Sequence, residues 1–446
     1  AEYSRSESDG TAEYSDHDFS RVSGRVQLVG PHSQTDLFAG YQSKFFGQEG
    51  MYVGFKSPET EYIKTRLFIL NHRLDYASES HLQATAYFRR NSDHYNYNRF
   101  SPDNKFIHDS EVSTIALAGL HGINAHFALN YNLQLTYDTI DSTTLEQGKF
   151  SNRRYYKLGL VPQYSYGLND QREVRFKAGL SFDDSSRNNS EFSPMAEISL
   201  RTDQDMGNSE RLYLSYAETT QLAGYSAIGG SEVSGYWLSN HNLLRETAQN
   251  IELGYGIHRP QWSLESAIFY RWDKDLVDWA YAGLAARSAV NVDLETFGFE
   301  IIATQYWDKL EAIASYSFLQ KSDNYNEILI KNEREDKTIE MINPDGSFYA
   351  LNFPNHRATL GFIYTPNRYF EIRLDNEWRQ QEKKKTLRRG TNRAIFSHIG
   401  ISYFPKQSKA LELFLAYDKP WQEGFEEIPR TPGRSEQLSL GLTHQW

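Results

Sequence analysis

Apolar and polar side chains alternate along this chain in many segments of roughly 10–14 residues. The clearest segment is 126–137, where apolar side chains share one face and polar side chains share the other. The apolar face holds Phe127, Leu129, Tyr131, Leu133, Leu135 and Tyr137, and the polar face holds His126, Asn130, Asn132, Gln134 and Thr136. Strands of soluble sandwiches also alternate, but they average about 5–6 residues. Alternation over this greater length predicts strands that cross a bilayer at a tilt.

The repeated pattern predicts an all-β protein, a transmembrane antiparallel β-barrel with about 19 strands in this chain. The predicted strands are 19–30, 34–46, 62–75, 80–92, 108–121, 124–138, 152–166, 172–185, 191–203, 210–221, 247–258, 261–277, 290–306, 309–321, 355–366, 368–380, 392–404, 409–418 and 434–446. The connections between them alternate between short and long. Since outer-membrane barrels have short periplasmic turns and long external loops, the long connections 47–61, 222–246, 322–354 and 419–433 are predicted to be extracellular.

The directions of the first and last predicted strands determine whether the number of strands in this chain is odd or even. An extracellular loop is expected at 1–18, so strand 19–30 runs inward, as does the last strand, which ends at Trp446. Both directions together require an odd number of strands, whereas single-chain bacterial barrels have an even number. We therefore expect the chain to be one N-terminally truncated barrel domain, 1–446, without a plug domain. About three further strands would complete an expected barrel of about 22 strands.

Composition narrows the class of protein further. Aromatic residues make up 14% of the chain, with 30 Tyr and 26 Phe, while hydrophobic residues make up only 39%. A helical membrane protein needs runs of about 20 apolar residues, and the sequence has none. Interfacial girdles of Tyr and Trp account for the aromatic excess in a barrel. The net charge of −11 argues against nucleic acid as a partner. The absence of cysteine fits an oxidising compartment.

No spacing of His, Ser or acidic residues matches a zinc site or a nucleophile elbow, so the chain is predicted not to be an enzyme. Polar residues on the predicted inner faces are expected to line a wet lumen. This set is Arg25, Lys44, Arg66, Gln83, Arg89, Asn130, Gln134, Lys157, Arg175, Lys177, Arg271 and Arg373. In a porin such residues bound a water channel, and in a receptor they hold a plug.

Two loops carry candidate binding residues. In loop 222–246, Tyr225, Tyr236, Trp237 and Asn242 are candidate ligand contacts, and the alternative is that the aromatic residues pack the loop on itself. In the segment 9–18, Asp9, Glu13, Asp16 and Asp18 form a cluster of carboxylates that is a candidate Ca²⁺ site. The basic run 383–389 is predicted to be a solvated loop tip, with contact to lipopolysaccharide phosphates as the alternative.

Several motifs in the second half of the chain resemble TonB-dependent outer-membrane receptors. Residues 242–255 are similar to a family segment in which a loop ending in Asn-x-x-Leu leads through Glu to a strand with Glu-Leu-Gly. The stretch 267–278 resembles the next family strand, which ends near Asp-Leu-Ile/Val. Residues 291–300 and 355–361 resemble two later motifs. Asp16 and Asp18 resemble the Asp-x-Asp core of a calcium-binding loop in the cobalamin receptor of this family. Trp446, at the end of the strand with Leu438, Leu440 and Leu442, resembles the signal of the barrel-assembly machinery, and the alternative is an ordinary edge strand that ends in Trp.

The resemblance implies a receptor in the Gram-negative outer membrane that transports a scarce, bulky nutrient. The implied ligand is a small metal chelate such as a ferric siderophore or cobalamin, bound at the outer loops. The implied energy source is the TonB–ExbB–ExbD complex, acting through a plug that this chain lacks. Outer-membrane lipid and lipopolysaccharide are further implied partners. The resemblance implies no cofactor other than a structural Ca²⁺. The alternative from the pattern alone is a passive outer-membrane porin or channel.

Overall fold

The structure is a computed structural model. It describes residues 1–10, 13–50, 52–53, 56–101, 103, 105–146, 150–204, 207–281, 286–325, 328–332, 337–341, 346–347, 353–381, 390–405, 410–422, 424–427 and 434–444. Over these residues the chain is almost entirely β-strand, with one helix of five residues, α1 (Tyr225–Gly229).

Strands of 7–20 residues account for most of the fold. In the first half they are β1 (Glu2–Ser8), β2 (His17–Val29), β3 (Ser33–Glu49), β4 (Pro58–Ala77), β5 (Ser80–Asn96), β6 (Lys105–Gly122), β7 (Phe127–Ser142), β8 (Asn152–Asn169), β9 (Arg172–Ser185), β10 (Glu191–Gln204) and β11 (Asn208–Gln221). The second half holds β13 (Glu246–Arg259), β14 (Trp262–Tyr281), β15 (Arg287–Tyr306), β16 (Leu310–Tyr325), β20 (Pro354–Asn367), β21 (Phe370–Gln381), β22 (Arg393–Tyr403), β23 (Leu411–Pro420) and β24 (Gln437–His444). Shorter strands lie in the long connections: β12 (Trp237–Leu238), β17 (Ile328–Asn332), β18 (Lys337–Met341) and β19 (Gly346–Ser347).

Each long strand pairs antiparallel with the next long strand along the chain, from β1 to β24. This order is an up-and-down meander, in which every connection joins neighbouring strands. The short strands β12 and β19 add to the same sheet, while β17 and β18 pair only with each other. The predicted all-β antiparallel barrel fold is therefore confirmed.

The register places apolar and polar residues on opposite faces of the sheet. One cross-strand row runs through Leu70, Ala86, Ile115, Leu135 and Tyr156, and its large side chains are exposed on the outer face. A second row runs on the inner face through Gln83, Ala118, Asn132, Gly159 and Ser181. In a bilayer the outer row lies against lipid, and the inner row lines the lumen.

The N-terminal prediction is wrong in one part. Residues 1–18 are not all loop, because Glu2–Ser8 forms β1 and pairs in full register with β2. With β1 included, the described part of the meander has twenty long strands, close to the predicted number of about nineteen. Charge pairing supports this added strand, since Arg5 contacts Asp18 and Arg21 contacts Glu2 across it.

One residue of the predicted lumenal set lies on the other face. Arg66 pairs with Tyr41 and Arg90, and it has the parity of Phe68 and Leu70, which point outward. Arg90 in turn pairs with Glu111 at 3.3 Å. This charged outer row lies toward the long-loop end of the strands, beyond the apolar row. The remaining residues of the set alternate with outward-facing side chains and line the lumen.

Substitution on the two faces of β7 is expected to have unequal effects. Leu133→Arg places a charge among the outward side chains of the strand, where Leu133 is 38% exposed. We expect it to lower the free energy of unfolding in lipid vesicles by about 2–4 kcal/mol, the usual cost of Arg near the bilayer midplane. Denaturant titration in vesicles measures this loss. Asn132→Arg, one residue away and facing the lumen, is the matched control and is expected to change stability little. Equal losses for the two variants would contradict the assignment of faces.

Candidate functional site

The long connection between β11 and β13 folds into a compact unit, which we call the cap loop (residues 222–245). Small and aliphatic residues of the loop, Ala223, Ala227, Ile228 and Leu243, are buried against Trp279 of β14 and Ala289 of β15. Phe150, Trp237 and Val277 are packed around this cluster. The cap loop therefore has its own hydrophobic core, whereas the sheet itself turns its apolar face outward.

Tyr225 anchors the start of the cap loop to the barrel wall. Its hydroxyl donates to the Asp138 carboxylate on β7, and the Arg153 guanidinium of β8 lies 4.3 Å from the centre of its ring. Arg153 also donates to Asp138 at 2.7 Å and to the Ala223 carbonyl at 2.9 Å. Burial, together with the hydrogen bond to Asp138, raises the pKa of the Tyr225 phenol, so the hydroxyl remains a donor at neutral pH.

The middle of the cap loop surrounds one cation. Arg287, the first residue of β15, lies 4.5 Å from the Trp237 ring, 5.5 Å from Tyr236 and 5.4 Å from Tyr281. Trp237 also meets Trp279 edge-to-face at 4.9 Å. Stacking of guanidinium on aromatic faces is favourable, most of all where water is excluded. Tyr225, Tyr236 and Trp237 thus contact residues of β7, β8, β14 and β15. Their predicted role as ligand contacts stays a prediction.

The end of the cap loop is fixed by a buried ion pair. Arg245 contacts Asp183 on β9, and their side chains are only 6% and 2% exposed. Thr220 donates to the same carboxylate at 2.7 Å and is also 3.1 Å from the Arg245 guanidinium. Removing one member of such a pair leaves an uncompensated buried charge, so both residues are needed together.

A cavity of about 290 Å³ lies where the cap loop meets Phe150 and the connection 186–190. It is lined by Phe150, Arg153, Arg187, Asn188, Asn189, Leu222, Ala223, Ile228, His241, Asn242 and Leu243. We call it the loop cavity. The described lining residues include two arginines, one histidine and three amides, and none of them is acidic. Asn242, a predicted ligand residue, is exposed there, while Tyr225, Tyr236 and Trp237 do not line it.

Of the two arginines that line the loop cavity, Arg187 makes fewer described contacts with the barrel wall than Arg153 does. Its guanidinium lies 5.1 Å from the Phe150 ring and donates to the Asn152 carbonyl at 2.8 and 3.0 Å. Neither Arg187 nor Arg153 was among the predicted site residues. The sequence indicates these two arginines only by their position at the long-loop ends of strands. A cation at such a position faces the external medium and not the lipid.

A larger groove of about 870 Å³ lies beside the loop cavity and has the opposite character. Its lining includes five carboxylates, against the two cations Arg245 and Lys274. The carboxylates are Glu191, Asp273, Asp275, Asp293 and Glu295. Asp275 adopts a positive φ of 56° at a β-bulge, and its amide donates to Asp293 at 2.9 Å. The long-loop end of the barrel therefore has one cavity with arginines in its lining and one groove lined mainly by carboxylates.

The structure does not gather the four predicted calcium ligands. Asp16 pairs with Arg99 at 2.7 Å, Asp18 with Arg5 at 3.3 Å and Glu13 with Lys56 at 3.0 Å. Asp9 is exposed at the end of β1. In the described part of the chain, no three His or acidic residues converge as a metal site would require. The calcium prediction thus receives no support from the geometry of this loop.

The predicted assembly signal at Trp446 and the basic run 383–389 lie outside the described residues.

The fold and the site together define a class: a large up-and-down barrel whose long loops build ligand-sized cavities at one end. The family model for TonB-dependent receptor-like β-barrels matches residues 3–410. The chain therefore belongs to the TonB-dependent receptor β-barrel family, a family of outer-membrane receptors and transporters. Comparison with curated protein sequences returns no match.

Solved structures support the fold. The chain superposes on the siderophore receptor PirA from Pseudomonas aeruginosa with a TM-score of 0.64 and 14% identity, covering 96% of this chain and 71% of that one. It superposes on the FrpB iron transporter from Neisseria meningitidis with a TM-score of 0.68 and 12% identity, covering 97% and 72%. For the siderophore receptor PiuA from Acinetobacter baumannii the TM-score is 0.67, with 12% identity and coverage of 97% and 75%.

Among the residues that the structure describes, no helix is long and apolar enough to span a bilayer.

The anchor at Tyr225 is expected to control the local stability of the cap loop. Tyr225→Phe removes a hydrogen bond to a charged group, which usually contributes about 1.5–3 kcal/mol. We expect amide hydrogen exchange in the cap loop to accelerate accordingly, including at the Asn240 amide, which donates to the Ala227 carbonyl at 2.8 Å. Tyr164→Phe, on β8 near the short-turn end, is the control and is expected to leave the loop unchanged. Unaltered exchange in Tyr225→Phe would show that the anchor does not hold the loop.

Proposed function

We propose that this chain forms the barrel of an outer-membrane receptor for a scarce metal chelate in a Gram-negative bacterium. Uptake is energised by the TonB–ExbB–ExbD complex through a plug domain. The structural relatives, which are two siderophore receptors and an iron transporter, support a chelate as cargo. A copper transporter of similar fold, with a TM-score of 0.64, shows that the metal itself varies among such barrels.

The loop cavity carries the finer part of the proposal, that the chelate is anionic. Arg187 and Arg153, which also binds Asp138, contribute guanidinium groups, and Asn188, Asn189 and Asn242 add amides. Charge-assisted hydrogen bonds from such donors favour carboxylate or catecholate oxygens on the chelate. Cobalamin presents mostly neutral amides at its rim, so it gains less from two arginines. The cavity holds a peripheral group of a bulky ligand, and the rest of the ligand projects over the barrel mouth.

The remaining partners in the proposal follow from the location. The apolar outer rows contact outer-membrane lipid, and the charged row of Arg66, Arg90 and Glu111 lies at the height of lipopolysaccharide head groups. Assembly requires the barrel-assembly machinery, as for other proteins of this architecture. The work of the protein is binding and gated transport, with no bond made or broken in the cargo.

The proposal is tested by binding measurements on the purified protein in detergent, followed by quenching of tryptophan fluorescence. The probes are ferric citrate and a ferric catecholate as anionic chelates, a neutral ferric hydroxamate, and cyanocobalamin. We expect an anionic chelate to bind most tightly. Arg187→Gln is expected to weaken that binding about tenfold, equivalent to about 1.4 kcal/mol, through loss of a charge-assisted contact.

Arg154→Gln is the matched control, because Arg154 is the next residue after Arg153 and has the parity of the outward-facing Tyr156. Its loss is expected to leave chelate affinity unchanged. Tighter binding of cyanocobalamin or of the neutral chelate, together with full affinity in Arg187→Gln, would contradict an anionic cargo. Free passage of all small solutes without saturable binding would instead indicate a passive channel.

A further inference from the structure

The outer face of the barrel has a groove of about 580 Å³ that crosses β4–β8, and we call it the outer groove. Two small residues, Ala86 on β5 and Ser113 on β6, lie in neighbouring cross-strand rows of this face. Larger side chains surround them, so the surface is lower at the small residues. The larger outward side chains are Phe68, Phe88, Ile115, Leu135, Tyr137 and Tyr156. The shape and the apolar walls of the outer groove match a hydrocarbon chain.

The lining of the outer groove contains one charged residue, Arg154. It follows Arg153, whose guanidinium binds Asp138 on the inner face, and successive side chains of a strand point to opposite faces. Two hydrogen bonds fix its backbone: the Arg154 amide donates to the Ser186 hydroxyl at 3.1 Å, and the Ser186 amide donates to the Arg154 carbonyl at 3.0 Å. The Arg154 side chain is exposed and has no ion pair among the described residues. A cation among outward apolar side chains is unfavourable unless it reaches water or an anionic group.

Further cations lie immediately above the outer groove, toward the long loops. Arg66 on β4 and Arg90 on β5 are cross-strand partners in the next row. Glu111 on β6 is in the same row and pairs with Arg90 at 3.3 Å, whereas Arg66 has no ion pair in the described part of the chain. Asp109 and Asp141 are one row further out. The charged side chains nearest to the groove are therefore mainly cationic.

The position of Arg154 places the outer groove in the outer leaflet of the membrane. Arg154 is the third residue of β8, which begins at the long-loop end and ends at the short turn 170–171. The outer leaflet of an outer membrane is rich in lipopolysaccharide, whose lipid A anchor is an acylated disaccharide with a phosphate at each end. Three strand spacings separate β5 from β8, roughly 14 Å, which is the scale of such a bisphosphorylated disaccharide.

We propose that the outer groove is a specific binding site for lipid A, with one acyl chain in the groove and one phosphate on Arg154. The second phosphate binds Arg66 and Arg90. Arginine recognises phosphate through charge-assisted hydrogen bonds. Packing in the groove selects the chain, because all other surroundings of the chain are also hydrocarbon. The inference rests on the outer-membrane location in the proposed function and assigns one defined site within the general contact with lipid.

The site is tested by native mass spectrometry of the detergent-purified, delipidated protein. The probes are bisphosphorylated lipid A, monophosphorylated lipid A with the same acyl chains, and phosphatidylglycerol. We expect one molecule of bisphosphorylated lipid A to bind saturably and several-fold more tightly than either of the other lipids, since neither supplies two phosphates. Equal affinity for phosphatidylglycerol would overturn the proposal, because it would indicate unselective contact with anionic lipid.

Arg154→Gln removes the cation of the outer groove. We expect it to weaken lipid A binding about tenfold, because one charge-assisted phosphate contact is lost. Lys274→Gln is the matched control, since Lys274 on β14 has the parity of the outward-facing Trp272 and is outside the outer groove. It is expected to keep full affinity for lipid A. Equal weakening in the two variants would reveal a general effect of charge and would overturn the assignment.

Ser113→Leu fills the outer groove without a change of charge. We expect several-fold weaker binding of lipid A in a folded protein, because position 113 is an exposed outward position among apolar side chains. Ala196→Leu on β10 is the matched control, since Ala196 is also small, exposed and outward-facing but lies on another part of the barrel. Full lipid A affinity in folded Ser113→Leu or in folded Arg154→Gln would overturn the proposal.

The lipid site and the loop cavity can be distinguished in the same set of variants. Arg154→Gln is expected to lose affinity for lipid A and to keep affinity for the chelate, and Arg187→Gln is expected to do the reverse. Absence of chelate binding contradicts the proposed function alone, because lipid A binding is measured without a chelate. Absence of saturable lipid A binding in a protein with full chelate affinity overturns the lipid site alone.

Discussion

The structure depends on one constraint, that backbone amides and carbonyls in a hydrocarbon layer must all find partners within the protein. A meander of long antiparallel strands satisfies this condition from β2 to β23, because each of these strands bonds to both of its neighbours. The inner and outer faces then differ only in their side chains, and these alternate with the period of the strand. Consequently the apolar residues are at the outside of this molecule, and the buried residues are largely small, polar or part of loops.

The same constraint explains how much of the fold could be predicted from the sequence. Where a strand crosses lipid, as at 127–137, alternation is regular and the strand was predicted almost to its ends. Outside the lipid the pattern weakens. Arg66 and Arg90 have outward parity but carry charges, so Arg66 was assigned to the lumen. β1 was missed because Glu2–Ser8 holds a single large apolar residue, Tyr3, and forms by pairing with β2.

The candidate site was predictable only in its location. Loop length and aromatic content indicated residues 222–246, and Asn242 does line the loop cavity. The cations Arg153 and Arg187 come from other connections, and no local pattern links them to that loop. The contact between Tyr52 and Trp237 joins residues far apart in the chain through ring geometry alone. Such contacts depend on the curvature of the whole sheet, which the spacing of residues along the sequence does not reveal.

The loop cavity and the Trp237 ring share one structural element, the cap loop. The two ends of the cap loop, at Ala223 and Leu243, line the loop cavity, while its middle carries Trp237. Hydrogen bonds link these parts, since Ser239 donates through its hydroxyl to the Ser226 carbonyl at 2.7 Å and through its amide to Ser231 at 2.8 Å. The residues that line the loop cavity and the residue that carries the Trp237 ring are therefore parts of one hydrogen-bonded unit.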